Sequence, residues 1–231
     1  MSTVSTSVEI DYPESDGKPM GETDLHINWT IRLRDILQCR YQQQQVYVSG
    51  NLLIYFEEGN PKQFVVPDAF VVKESDPGPR RTFKCWEEPS LPCVAFEVTS
   101  RSSKREDTVF KPQTYARIGI KEYFVYDPTQ DYLDPPLRGF RLAGKEHLPI
   151  EPNADGSLSC EELDLTLSLD GLDLVWSDRT SGERLLMKWE AEQAALAAEQ
   201  AARAAEHQAR LDAEAEVALL REQLRRSGQS D

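Results

Sequence analysis

The sequence predicts an α/β protein, with a mixed β-sheet flanked by helices and one long C-terminal α-helix. The order of patterns is a helix, several strand-like segments, a second helix and a further strand, which is typical of a mixed sheet covered by helices. Composition then divides the chain, because residues 183–227 contain neither proline nor glycine. Alanine, glutamate, leucine and arginine dominate that segment, and all four favour helix.

The first helix is predicted at residues 23–40. Apolar residues recur there at spacings of three and four, which places them on one helical face. That face comprises Leu25, Trp29, Leu33, Ile36 and Leu37. Thr23 or Asp24 would cap the first turn, because both side chains can accept a hydrogen bond from a free backbone N–H.

Strand-like segments follow, rich in Val, Ile, Phe and Tyr and separated by turn residues. They cover residues 46–50, 52–56, 63–72 and 93–99. Residues 107–117 have a helical pattern that Gly119 would end, and residues 122–128 form a buried strand that runs into a turn. The stretch 129–182 is predicted to be rich in turns, with short β-segments such as 138–142.

The predicted organisation is a disordered tail at residues 1–20, one domain at 21–182 and a helix at 183–231. Larger side chains recur weakly in the helix at a spacing of seven. They are Trp189, Leu196, Arg203, Arg210, Val217 and Leu224. Small alanines and charged flanks are compatible with a coiled coil. Two interpretations stay open here: self-association, or a single helix in solvent.

Charge and motifs exclude several classes of function. Lys and Arg total 26 against 40 Asp and Glu, a net charge of −14, which argues against a polybasic protein that coats DNA or membranes. No signal peptide and no membrane span are visible. The four cysteines form no C-x-x-C pair and are predicted to be reduced thiols of a cytoplasmic protein. Phosphate-loop, dinucleotide-binding and zinc-protease motifs are absent.

Two carboxylates interrupt apolar strands. Asp68 follows Pro67 in the third strand-like segment, and Glu97 lies in the fourth. A buried carboxylate needs a cation or a good partner. Two acids on neighbouring strands suit Mg²⁺, with the backbone carbonyl of Val98 as a third oxygen ligand. Each acid also has an ordinary alternative: Asp68 as a turn residue, and Glu97 as a strand-end residue paired with Lys or Arg.

A basic segment follows these acids. Residues 98–121 carry six Lys or Arg against two acids, and Lys111 lies one helical turn after Asp107. A cationic side chain beside a metal would position the attacking water or offset charge on a phosphate. The side chains predicted to contact the phosphate backbone are Arg101, Lys104 and Arg105. The alternative is a solvated face with ordinary ion pairs. His26 is either structural or a supporting member of the site.

Several longer strings resemble one known family. They are GETDLH at 21–26, VYVSGNLLIYFEEGNP at 46–61, VPDAFVV at 66–72, WEEPSLPCVAFEVTSRSSKREDTVFK at 86–111, YARIGIKEYFVYDP at 115–128 and LRGFRL at 137–142. Over roughly residues 20–190 the chain is similar to the Uma2 family of restriction-type endonucleases, within the PD-(D/E)XK nuclease superfamily. The resemblance implies a restriction-endonuclease-like core.

The resemblance also implies a role for each matching residue. Asp68 corresponds to the acid of the PD element and Glu97 to the second acid, and together they would hold the metal. The superfamily lysine would lie two residues after Glu97, where this chain has Thr99. A D-x-x-x-K pattern at Asp107 and Lys111 takes its place in this family, and His26 matches a polar position on the first helix.

One residue departs from a regular helix here. Pro112 directly follows Lys111, and proline inside a helix removes a hydrogen bond and clashes with the preceding turn. The second helix therefore starts near Lys111, with Pro112 in its first turn, or kinks at that point. The direction of the Lys111 side chain depends on which of these holds, and Lys104 is the alternative lysine.

The predicted function is hydrolysis of DNA phosphodiester bonds with Mg²⁺, or Mn²⁺, as the cofactor. Asp68 and Glu97 would bind the cation and Lys111 would assist the nucleophile. DNA is the expected partner, and the C-terminal helix would join two copies of the chain. Two alternatives stay open. One is an inactive nuclease fold that recruits a partner through that helix, and the other is a nuclease for RNA or branched DNA.

Overall fold

The structure, a computed structural model, describes residues 10–17, 23–101 and 103–227. The chain divides into two compact units, Met1–Leu185 and Leu186–Asp231. The division lies close to the change in composition that predicts a domain followed by a helix. None of the helices in the described part of the chain combines the length and apolarity that crossing a membrane requires.

The first unit contains two α-helices and a series of short strands among its described residues. The helices are α1 (Asp24–Arg40) and α2 (Lys111–Ile118), and a π-helical turn, Glu106–Phe110, precedes α2. The strands are β1 (Val46–Ser49), β2 (Ile54–Tyr55), β3 (Phe64–Val65), β4 (Ala69–Lys73), β5 (Phe83–Lys84), β6 (Val94–Val98), β7 (Glu122–Tyr126), β8 (Leu137–Ala143), β9 (Glu146–Pro149), β10 (Leu158–Cys160), β11 (Leu165–Asp170) and β12 (Asp173–Asp178).

The central sheet is mixed, which confirms the predicted fold class. Its six strands lie in the order β1-β4-β6-β7-β8-β9. Only β6 and β7 pair in parallel, and the other neighbours are antiparallel. Two three-stranded sheets accompany it, in the orders β3-β2-β5 and β10-β11-β12. The strands β6 and β7 are buried along their whole length, which explains their nearly continuous apolar sequences.

Part of the predicted tail packs against the rest of the first unit. Residues 1–9 and 18–20 of that tail lie outside the described residues. The described part forms no helix or strand. The ring of Tyr12 nevertheless contacts that of Tyr55 edge to face, with centroids 5.1 Å apart, and the Tyr55 hydroxyl donates to the Pro13 carbonyl at 2.5 Å.

Helix α1 follows its predicted bounds closely. Thr23 is the N-cap, and its side chain accepts the backbone N–H of His26 at 3.3 Å. The predicted apolar face is correct except at Leu25, whose side chain is 41% exposed. The buried stripe instead continues through His26 and Thr30. His26 lies one helical turn before Trp29, on the side of α1 that faces the sheet. Leu25 is rotated from His26 by about 100° around the helix axis, away from that side.

The sequence suggested one strand at residues 63–72, but the structure has two. The segment divides into β3 and β4, with Pro67 and Asp68 between them. Proline has no N–H to donate to a sheet, so the ladder cannot continue through Pro67. The interruption leaves Asp68 directly before β4, on the edge of the pairing between β4 and β6.

Residues 129–182 are far more regular than the prediction of turns implied. Strands β8 to β12 lie there, and β8 and β9 complete the central sheet. Alternate positions are buried in β11 and β12, including Leu165, Leu167, Leu174 and Trp176. This period of two is the signal of a half-buried strand, although the segments are short and rich in polar residues.

The long helix α3 (Lys188–Ser227) begins five residues later than predicted. Residues 183–187 are not helical, because Arg184 forms a β-bridge with Ser177 and the Leu185 N–H donates to the Trp176 carbonyl at 2.8 Å. The helix has 40 residues, which corresponds to about 60 Å. The side chains of Trp189, Leu196, Leu211, Val217, Leu219 and Leu220 are exposed on it, and a coiled coil stays a prediction.

A close backbone approach places Asp68, and a single methyl group is expected to disturb it. A Cβ atom at Gly50 would lie 2.0 Å from the backbone oxygen of Asp68. We expect Gly50→Ala to push the Asp68 segment away from β1 and to lower the free energy of unfolding by about 1–3 kcal/mol. Urea unfolding followed by circular dichroism measures this loss.

Gly144→Ala is the control for this substitution. Gly144 has a φ of +66° and open space around the position of a Cβ atom. Alanine there carries only the local conformational cost, about 1–2 kcal/mol, and leaves the position of Asp68 unchanged. The DNA cleavage that the sequence predicts should therefore fall in Gly50→Ala and not in Gly144→Ala. Equal activity in both variants would show that Asp68 tolerates the displacement.

Candidate active site

The two predicted acids lie side by side on the central sheet. In the antiparallel pairing of β4 with β6, Ala69 is opposite Phe96, so the same register places Asp68 opposite Glu97. Side chains alternate between the two faces of a strand. Glu97 therefore shares a face with Ala95, which packs in the same core cluster as Tyr115 of α2. The fold thus directs the second acid toward that helix.

Asp68 is held by backbone and side-chain donors. Its Oδ2 atom accepts the N–H of Val98 at 2.7 Å and lies 3.4 Å from Nε2 of His26. The register places Pro67 opposite Val98, but the Pro67 carbonyl accepts from the Asn51 N–H at 2.9 Å, and the Asp68 carboxylate is the acceptor for Val98. The Thr99 N–H donates to β7, so the backbone groups of Val98 face the side where Asp68 lies.

Glu97 is buried, with 1% of its surface exposed, and both of its carboxylate oxygens have partners. Oε2 accepts from Nζ of Lys111 at 2.7 Å. Oε1 accepts from the hydroxyl of Tyr115. Lys111 and Tyr115 are four residues apart on one face of α2. Together they fix both the position and the orientation of the Glu97 carboxylate.

Lys111 points into the acid cluster, and the start of the helix explains why. The helix α2 begins at Lys111, so Pro112 lies in its first turn. The preceding turn is π-helical, and the Lys111 N–H donates to the Glu106 carbonyl. This turn brings Asp107 beside the lysine, with Oδ1 at 3.0 Å from Nζ.

The pKa values of Glu97, Asp68 and Lys111 are perturbed in this cluster. Burial raises the pKa of Glu97 well above its usual value, and the Lys111 ammonium opposes that rise without cancelling it. Burial alone would also raise the pKa of Asp68. The hydrogen bond from His26 and the charge of Lys111 outweigh it and lower that pKa below its usual value. Burial disfavours the charged form of Lys111, but Glu97 and Asp107 raise its pKa, so the ammonium stays protonated.

The charges of the cluster fit an additional cation. Three carboxylates, Asp68, Glu97 and Asp107, surround one ammonium. Oδ2 of Asp107 is buried and accepts no hydrogen bond from the described residues. No three or more His, Cys, Asp or Glu side chains in the described ranges are grouped so that they would hold a metal alone. Mg²⁺ commonly takes only one or two carboxylates and completes its shell with other oxygens.

A cleft of about 530 Å³ opens beside the acids. His26 and Thr99 line it, so its wall is formed partly by residues next to Asp68 and Glu97. Thr99, at the position where the superfamily lysine was expected, is 2% exposed, and its hydroxyl accepts or donates no hydrogen bond with the described residues. A substrate in this cleft would reach the carboxylates from the side of α1.

The residues predicted to bind the phosphate backbone of DNA occupy more exposed positions than the acids. Arg101 lines the cleft and is exposed. Lys104 and Arg105 are exposed at the turn that leads into α2, and the Arg105 guanidinium lies 5.3 Å from the centroid of the Phe110 ring. Lys104 makes no side-chain contact with the acids among the described residues, so the geometry favours Lys111 over the alternative lysine.

Two buried tyrosines belong to the cluster, although no motif in the sequence marks them as site residues. The Tyr115 hydroxyl donates to Glu97, and the Tyr123 hydroxyl donates to the backbone carbonyl of Asp107. Burial raises the pKa of both hydroxyls well above the usual value, so both remain donors. The spacing of Tyr115 from Lys111 was the available signal, because residues four apart share a helical face.

Replacing Tyr115 by phenylalanine is expected to loosen Glu97. The variant leaves a buried carboxylate oxygen without its donor, which should lower the free energy of unfolding by about 1–3 kcal/mol. If Glu97 acts in catalysis, kcat should fall more than tenfold with a smaller change in KM, because orientation rather than substrate contact is lost. Tyr41→Phe is a matched control, since that hydroxyl contacts the Leu163 carbonyl at 3.4 Å. An unchanged kcat in Tyr115→Phe would contradict the positioning role.

Comparison with known proteins identifies a family for this chain. A family model, Uma2, described as “Putative restriction endonuclease”, matches residues 9–172. The chain therefore belongs to the Uma2 family. A solved structure from Anabaena variabilis ATCC 29413, described as a putative nuclease belonging to DUF820, has 14% sequence identity and a TM-score of 0.45, and the match covers 65% of this chain and 81% of that chain. No curated protein matches the chain.

Proposed function

We propose that this chain is an endonuclease that hydrolyses DNA phosphodiester bonds with the help of a divalent cation. The observation that carries the proposal is the convergence of Asp68, Glu97 and Lys111 at one end of β6, beside a cleft. Family membership supports the nuclease class. The roles of the individual residues follow from their contacts and charges.

Asp68 and Glu97 would hold Mg²⁺ or Mn²⁺, with the backbone carbonyl of Val98 as a further oxygen ligand. Such a cation supplies a lowered pKa for a bound water and neutralises charge on the scissile phosphate. The hydrogen bonds from Val98 and His26 keep Asp68 ionised and oriented before any ligand arrives. Glu97 is held by Lys111 and Tyr115, so the second acid is equally preorganised.

Lys111 acts as a permanent positive charge in this proposal. Glu97 and Asp107 raise its pKa, which favours the ammonium over the neutral amine that a general base would need. The ammonium therefore orients the attacking water or stabilises the negative charge that develops on the phosphate. Oδ1 of Asp107 lies 3.0 Å from Nζ of Lys111. This second ion pair would keep the lysine in the cluster when Glu97 binds a cation.

Exposed cations would hold the nucleic acid backbone. Arg101, Lys104 and Arg105 lie on the segment that leads from β6 into α2. They would therefore approach a DNA strand near Asp68 and Glu97. The chain has a net charge of −14, and this local basic segment offsets its repulsion of phosphate. Binding should therefore weaken as salt rises.

The proposal includes self-association through α3. Leu196, Leu211, Val217 and Leu220 are all exposed on this helix by 44% or more of their surface. Pairing of two such helices would cover apolar surface and bring two sites to two strands of DNA. Light scattering after size exclusion distinguishes a dimer from a monomer. A monomer at every concentration would contradict this part of the proposal.

Cleavage of supercoiled plasmid and single-stranded DNA tests the function. Wild type is assayed with Mg²⁺, with Mn²⁺ and with EDTA, beside Asp68→Ala, Glu97→Gln and Lys111→Ala. Glu146→Gln, at an exposed carboxylate on β9, is the control. We expect cation-dependent cleavage in the wild type and the control only. Loss in the acid variants alone would transfer the lysine role to Lys104. Absence of cleavage on DNA or RNA would favour the inactive scaffold.

A further inference from the structure

We infer that the cleft beside His26 binds an unpaired nucleotide, so that the strand being cut is single-stranded where it meets the acids. The inference rests on the proposed function and deepens it by naming the substrate class. It is carried by the apolar wall of the cleft, by the rigid loop that forms this wall and by the polar groups opposite.

The cleft has an apolar wall that the fold alone does not require. Leu25 lines it with 41% of its surface exposed, although the helical pattern predicts a core residue at that position. Pro128 and Tyr132 also line it. The hydroxyl of Tyr132 makes no hydrogen bond with any described residue. An aromatic ring and an aliphatic side chain at one cleft suit a ligand with a flat, apolar face, such as a nucleobase.

A buried carboxylate holds the loop of Tyr132 in place. Asp127 is 0% exposed. Its Oδ2 atom accepts the N–H groups of Tyr132 at 2.6 Å and Leu133 at 2.9 Å. Its Oδ1 atom accepts the Thr129 N–H at 3.0 Å and the Thr129 hydroxyl at 2.8 Å. These bonds fix the wall before a ligand binds, so little entropy is lost in ordering it.

Polar groups lie around the remainder of the cleft. The guanidinium of Arg101 is exposed and suits a phosphate. Thr99 and Ser103 add hydroxyl groups, and the Thr99 hydroxyl has no partner among the described residues. Hydroxyls and a guanidinium beside an apolar wall match the phosphate, sugar and base of one nucleotide.

An unpaired nucleotide is favoured over a duplex for a geometric reason. In a duplex, both faces of a base are covered by its stacked neighbours and its edge is paired. Only an unpaired or extruded base can lay a face against Tyr132 and Leu25. The cleft volume of about 530 Å³ is that of a small-ligand site and is too small for a double helix.

Binding without cleavage tests the inference. The full chain carrying Glu97→Gln is titrated in EDTA against a fluorescein-labelled oligothymidine of about 20 nucleotides, and against the same strand in a duplex. Fluorescence anisotropy is expected to show single-strand binding at least about tenfold tighter than duplex binding. Tyr132→Ala should weaken the single-strand affinity by about tenfold, and Tyr132→Phe should retain it. Leu148→Ala, at an exposed leucine on β9, should have no effect.

The inference is overturned by equal affinity for the single strand and the duplex, or by an unchanged affinity in Tyr132→Ala. A protein that binds neither probe also overturns it. The cleavage assay separates this failure from that of the proposed function. Cation-dependent cleavage that is indifferent to Tyr132 and to strandedness refutes the cleft inference alone. Tyr132-dependent binding without cleavage by wild type under any cation refutes the endonuclease and keeps the nucleotide site.

Discussion

Replacing Lys111 by methionine is expected to lower the free energy of unfolding by about 3–5 kcal/mol and to abolish cleavage. Methionine has similar length and no charge, so the variant leaves Glu97 and Asp107 buried without their counter-ion. The lysine lies 2.7 Å from Glu97 and 3.0 Å from Asp107, and none of the three side chains has substantial access to water. Removing one partner of a buried ion pair is costly for that reason.

The loss in Lys111→Met should depend on pH in a defined direction. Burial raises the folded pKa of Glu97 above its unfolded value, and the variant lacks the ammonium that opposes this rise, so the folded state binds more protons. Stability of the variant therefore falls as pH rises through those values, and the deficit relative to wild type shrinks at low pH. Urea unfolding at acidic and mildly alkaline pH measures this difference.

Lys121→Met is the matched control, because Lys121 is exposed at the start of β7. It should change stability by no more than about 0.5 kcal/mol and leave cleavage intact. If Lys111→Met is as stable as wild type at both pH values, the lysine does not hold the acids together. Cleavage retained by a folded Lys111→Met would place the catalytic cation elsewhere.

The sequence was informative where a residue conflicted with its surroundings. Asp68 and Glu97 stood out because carboxylates rarely interrupt strands that are otherwise apolar, and the structure places both in the same cluster. Lys111 was identified through its spacing from Asp107. Pro112 left two directions open for the lysine, and only the π-helical turn before α2 decided between them.

Other features depended on tertiary structure and could not be read from a pattern. Tyr115 shares a helical face with Lys111, but this spacing alone does not distinguish it from an ordinary core residue of α2, and its role at Glu97 appears only when the helix is packed on the sheet. Leu25 satisfied the helical spacing but lies at the edge of the buried face of α1, rotated from His26, and it is exposed at the cleft. The late start of α3 follows from the long-range bridge between Arg184 and Ser177.

Replacing Asp68 by asparagine is expected to lower cleavage by about 10³-fold, or about 4 kcal/mol of activation free energy. Asparagine has nearly the same shape, so its oxygen can still accept the Val98 N–H. It lacks the negative charge that would hold a cation, and its amide offers donors where Asp68 accepts from His26. Asp68→Asn thus removes the negative charge of the residue while keeping its shape and its hydrogen bond from Val98.

Thermal unfolding gives a readout of the same substitution that does not depend on activity. A cation that binds only the folded chain stabilises it by about 2.7 kcal/mol at a hundred times its Kd. Wild type should therefore unfold at a higher temperature in Mg²⁺ than in NaCl of equal ionic strength. Asp68→Asn should lose this shift, and Asp170→Asn, at an exposed carboxylate on β11, should keep it.

The two readouts together decide whether Asp68 acts through a cation. A wild-type midpoint that is the same in Mg²⁺ and NaCl would argue against a cation held by these residues, whatever the activity of the variant. A shift that survives in Asp68→Asn would place the cation elsewhere. If both the shift and the cleavage disappear in Asp68→Asn alone, a cation held by its carboxylate, with Glu97 beside it, accounts for both effects.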